Sequence, residues 1–158
     1  MKFKQHLLWG AILSYFSIKI FNLSIIEGTV IFLASVLIDF DHYLWYGAVT
    51  KDWNPFHAIN WYNGMVPKWI KLSASEKKKF KKGIFIFHSI GFWIILYALS
   101  LKNPFFLWIL IGIAIHLSGD YIYMTYHKES LSPKISAFYT WKKNKGKKEL
   151  IKEFTLMN

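Results

Sequence analysis

Seven ionisable side chains interrupt apolar stretches of the chain: His6, Asp39, Asp41, His42, His88, His116 and Asp120. Imidazole and carboxylate together form a ligand set for a borderline divalent metal, with zinc the expected ion and manganese the alternative. An ionisable group in a membrane-like apolar stretch is costly unless paired or hydrated, so such groups mark a functional site by default. No cysteine is present, which excludes disulfides and thiolate metal sites. His57 and His127 fall in a loop and at an interface, where ordinary surface roles are expected.

Four apolar segments carry these residues: Gln5 to Ile26, Gly28 to Val49, Gly83 to Leu101 and Pro104 to Tyr126. Each is about 19–23 residues long, enough to cross a hydrocarbon core of ~30 Å at ~1.5 Å per helical residue. Hydrophobic residues make up 54% of the chain and aromatic residues 20%, a richness that suits lipid contact, with Trp and Tyr at the interfaces. The expected fold is all-α: a polytopic membrane protein with four transmembrane helices. The first segment follows Lys2 and Lys4 as a signal peptide would, but it lacks a suitably placed small-residue cleavage site and is read as a helix that stays.

Charge then orients the helices. The net charge is +11, and every cation is a lysine. With no arginine to form bidentate phosphate or base contacts, a nucleic-acid partner is not expected. The lysines crowd into the long stretch between segments two and three, residues 50–82, and into the tail after segment four. The positive-inside rule therefore puts both termini and the long loop in the cytoplasm and the two short turns outside, in a multi-pass protein of the cell membrane. Residues 1–127, including loop 50–82, form the transmembrane domain, and residues 128–158 form a basic cytoplasmic tail.

Trp53, Trp61 and Trp69 give the loop an amphipathic pattern suited to the headgroup layer. Ser73 and Glu76 read as a capping box from which the third helix starts. Ser132-Pro133 opens a short tail helix that Gly146 ends.

With that topology, all seven residues lie in the cytoplasmic half of the bilayer. His116 and Asp120 share a helix face, as do Asp39 and His42. Asp41 points away from Asp39 on a regular helix. It must use a local distortion, serve as an outer carboxylate, or face cytoplasmic water.

The runs Leu37-Ile38-Asp39-Phe40-Asp41-His42, Phe87-His88-Ser89 and His116-Leu117-Ser118-Gly119-Asp120, with His6 upstream, resemble the membrane-bound metal-dependent hydrolases. The resemblance covers roughly residues 5–126. It implies a divalent metal site built from all seven positions and hydrolysis of a phosphoester or lipid-type substrate. The chain departs from the family in holding Ile38 where a Pro is common, and Gly83-Ile84-Phe85-Ile86-Phe87 where an Arg-Gly-x-Thr run is common.

Metal-assisted hydrolysis would have three or four of the His and Asp side chains hold the ion and Asp41 act as general base. Membrane lipid is an expected partner. Two other classes compete: ion or proton-coupled transport through the intramembrane Asp and His residues, and a non-catalytic membrane protein whose metal or hydrogen-bond cluster locks the bundle. The outer half of the helices offers no polar path, which weighs against transport.

Overall fold

The computed structural model describes residues 3–130 and 135–148. The chain is all-α, with no strand among the described residues. Its helices run α1 (Phe3–Phe21), α2 (Ile25–Leu37), α3 (Phe40–Thr50), α4 (Pro55–Lys71), α5 (Ala74–Lys77), α6 (Ile90–Ser100), α7 (Phe105–Tyr126) and α8 (Ala137–Lys143).

Two antiparallel hairpins, α1–α2 and α6–α7, pack against each other, with α2 laid along α7 at the centre. The α1–α2 turn is set by Ser24 and Glu27, which form a reciprocal capping box at the start of α2. Small residues let the central helices approach closely. A Cβ on Gly112 of α7 would stand 2.3 Å from the Ile31 carbonyl and 2.7 Å from Ala34 Cβ, so α7 rests on the α2 backbone itself. A Cβ on Gly10 of α1 would stand 2.3 Å from Ser35 Oγ. Trp9 Nε1–H closes the triangle by reaching α7, where it donates to the Ile115 carbonyl (3.2 Å) and Ser118 Oγ (3.1 Å). Ile38, Leu96 and Ile113 form the apolar core beside this contact.

The structure corrects the expectation of four uninterrupted spanning helices. Among the described residues, only α7 is both long and apolar enough to cross a membrane. The second apolar segment breaks at Ile38–Asp39 into α2 and α3. At the break Asp39 precedes α3 in helical conformation without a side-chain cap bond, and Asp41 lies in the first turn, where a carboxylate interacts favourably with the positive helix end.

The third segment begins late. The Ser73–Glu76 capping box does form, but its helix ends at Lys77. Beyond it the backbone bonds to the tail instead of to itself: Lys81 N–H donates to Lys148 O (2.9 Å) and Lys82 N–H to Asn144 Oδ1 (2.9 Å). The helix resumes only at Ile90, and α6 covers roughly 16 Å at ~1.5 Å per residue. The tail helix is present as α8, capped by Ser136, and Gly146 follows it with φ of 74°. The expected helix start at Ser132-Pro133 lies outside the described residues.

Gly112→Leu is expected to wedge α7 off α2 and lower stability by ~1–3 kcal/mol or more. Gly64→Ala, on an open face of α4 with nothing within 4 Å of the added carbon, should be neutral or stabilising by up to ~1 kcal/mol. Thermal unfolding of the two variants in one detergent tests the contrast.

Candidate metal centre

Each of the five segments that meet here brings its residue by a different local device. His6 comes from the first turns of α1, and His116 and Asp120 from one face of α7. Asp39 sits in the α2–α3 break, with Asp41 and His42 in the first turn of α3. His88 lies on the non-helical segment just before α6. His6, Asp41, His88, His116 and Asp120 are buried, while Asp39 and His42 are part-exposed at 22% and 19%. The agreement in depth read from the sequence is therefore a convergence in space.

Two imidazoles are oriented from behind. His116 Nδ1–H donates to the Ser35 carbonyl at 2.8 Å. A carbonyl can only accept, so the neutral ring must leave its Nε2 lone pair bare. His88 Nδ1–H donates to Asp41 Oδ2 at 3.1 Å, again baring Nε2. These two Nε2 atoms, on fully buried rings, face each other at 3.4 Å. Orientation from behind by a carbonyl or a carboxylate is how metal-ligating histidines are held, and the two facing nitrogens could share one cation.

The donor spacing is that of ligands around a metal ion. Donors about 2.1 Å from a tetrahedral ion lie about 3.4 Å from one another. His116 Nε2 stands 3.4 Å from Asp39 Oδ1 and 3.4 Å from Asp120 Oδ2. His88 Nε2 stands 3.7 Å and 4.0 Å from the same two oxygens. The nitrogen and oxygen donors fit a divalent ion, and the groups His88–His116–Asp120, His6–Asp39–His116 and Asp39–His42–His88 can each chelate one.

Asp41 stands behind His88, outside the three donor groups named above. The break in the helix turns it inward, where it is 5% exposed. Oδ2 accepts from the Phe87 N–H (3.1 Å) as well as from His88, and Oδ1 faces His42 Nδ1 at 3.1 Å. Of the options open in the sequence, the structure shows the local distortion, which turns Asp41 onto His88. Asp41 does not line the adjoining cavity, whereas His42 does.

That cavity has a volume of about 630 Å³ and is walled largely by apolar groups, among them Trp45, Ile59, Met65, Val66 and Phe85. His6, Asp39, His42 and Asp120 reach its surface at one place, and Lys81 and Lys82 line it elsewhere. His42 is stacked on Phe85 (ring centroids 3.9 Å apart), and Tyr62 O–H donates to the His42 carbonyl at 3.0 Å. Burial, then the nearby Asp39 and Asp41 charges, push the Tyr62 phenol well above its ordinary pKa, so it remains a donor. Burial also lowers the Lys82 ammonium.

The sequence reading did not single out Ser35, Gly112, Tyr62 or Phe85. The Ser35 contribution is a backbone carbonyl, which no side-chain pattern reveals. His57 is exposed and bound to Asp52 at 2.8 Å, and His127 packs at a tilt against Tyr123; neither belongs to the donor groups above.

The fold and site together define an all-α protein with a buried His/Asp cluster able to hold a divalent metal ion. The chain matches no protein-family model, no curated protein and no solved structure.

Asp41→Asn keeps the size of the side chain but removes the charge that orients His88. It is expected to weaken metal affinity by about 10–100-fold, measured by competition with a chelator of known affinity, and to lower the unfolding temperature of the metal-free protein, because one amide oxygen replaces the two that serve three buried donors.

Proposed function

We propose that the protein is a membrane-embedded, metal-dependent hydrolase acting on a phosphoester of lipid type. The observation that carries this reading is the pair of facing Nε2 atoms, each oriented from behind and flanked by two carboxylates at ligand spacing. The centre binds zinc, or manganese in its place, through Asp39, His88, His116 and Asp120, with His6 and His42 beside them. A divalent ion supplies Lewis-acid activation of water and of the scissile group.

The chain's own residues divide the remaining work. Ser35 and Asp41 hold the two imidazoles in their ligating tautomers. Asp41 also accepts from His42 Nδ1, which leaves His42 Nε2 to exchange a proton with a molecule in the cavity. His42 is thus a better general base than Asp41, whose oxygens are already engaged. The apolar wall accommodates an acyl or prenyl chain, and Lys81 and Lys82 attract an anionic headgroup.

Membrane embedding is supported by the outer surface. Leu8, Ile12, Phe16 and Ile20 of α1 and Ile94, Ile95 and Leu101 around α6 are exposed. Soluble monomers rarely expose contiguous apolar area on this scale. The four apolar segments then sit in the cell membrane with both termini cytoplasmic, the broken second and third segments being covered at the site by their neighbours, as non-helical backbone at membrane depth requires. The α4 helix, with its Trp residues, lies in the headgroup layer.

Metal analysis of detergent-purified protein should find stoichiometric divalent ion, and hydrolysis of short-chain phospholipid phosphoesters should vanish on chelation and return with zinc or manganese. His42→Ala should keep the metal and lose about 10²–10⁴-fold in turnover. Protein that binds no divalent ion, or hydrolyses equally well without it, contradicts the proposal.

A further inference from the structure

The geometry points to a second divalent ion, on the His6 side of the first, with Asp39 and Asp120 bridging the two. This rests on the metal-centre reading above and extends it to a two-ion site.

His6 and His116 are stacked nearly parallel, with ring centroids 4.0 Å apart and an interplanar angle of 7°. They come from different helices, yet both aim Nε2 at the same two carboxylates, and they use opposite oxygens. His116 Nε2 faces Asp39 Oδ1 and Asp120 Oδ2, each at 3.4 Å. His6 Nε2 faces the other oxygens, Asp120 Oδ1 at 3.4 Å and Asp39 Oδ2 at 3.9 Å. Each carboxylate therefore presents one oxygen to either imidazole, which is the arrangement of a bridging ligand. The ring spacing matches the ~3.5–4 Å between ions of two-metal centres.

The contacts of His6 have the spacing of ligands around one ion. Its 3.4 Å contact to Asp120 is longer than the ~2.7–3.2 Å of a formed N–H···O bond. That length equals the spacing between two ligands of one ion. His6 is 4% exposed, and its Nδ1 has no partner among the described residues. His6 also lines the cavity with Asp39 and Asp120, so the second ion adjoins the space where a substrate enters. Two-ion centres clamp both the attacking and the leaving oxygen of an in-line displacement, chemistry that suits a phosphoester.

The test loads the full-length protein in detergent with zinc and, separately, with manganese, without substrate. The proposal expects about two zinc ions per chain in the wild type and one in His6→Ala. At saturating manganese it expects the paramagnetic resonance spectrum of an exchange-coupled pair. One ion per chain with an isolated six-line manganese spectrum overturns the second ion and leaves the single-ion centre standing. No bound ion overturns both. The wild-type spectrum decides the matter if His6→Ala fails to fold.

Discussion

The close seating of α7 on the α2 backbone is the constraint from which the site follows. Gly112 leaves no side chain between the helices, so the Ile31–Ser35 backbone lies against α7. One turn on, His116 meets the Ser35 carbonyl and is locked in one tautomer. The same contact fixes where α2 ends, and hence where Asp39 stands. A larger residue at 112 would lift α7, part His116 from Ser35, and move Asp120 with it. Fold stability and ligand geometry thus share one joint.

The second device is the break after α2. A continuous helix would have left Asp41 facing away from Asp39, with its charge in an apolar environment. Restarting the helix at Phe40 turns Asp41 onto His88, His42 and the Phe87 N–H. The segment before α6 gives up its own helical hydrogen bonds for these and for contacts with the tail. Irregular backbone is therefore concentrated where the buried polar groups need it, and its donors are met by site residues.

Much of the site was legible in the sequence because ionisable residues in apolar stretches are few and their order along a hairpin fixes depth. His116 with Asp120, and Asp39 with His42, needed only helical spacing. The break at Ile38–Asp39 was missed because no Pro or Gly marks it. Its one signal was the acidic pair of the Asp39-Phe40-Asp41 run, which places a carboxylate in the first turn of α3. The late start of α6 was missed for another reason: the Ser73 capping box is genuine, but tertiary bonds from the tail interrupt the helix it begins. Ser35 was invisible because its contribution is a main-chain oxygen.

The account stands on a metal ion joining His88 and His116. X-ray absorption at the edge of the bound metal in detergent-purified protein reads that joint directly. Nitrogen and oxygen neighbours at about 2.0–2.2 Å, with the outer-shell scattering of two or more imidazoles and no sulfur, is the predicted result. An ion surrounded by oxygen alone, with no imidazole signature, would contradict it.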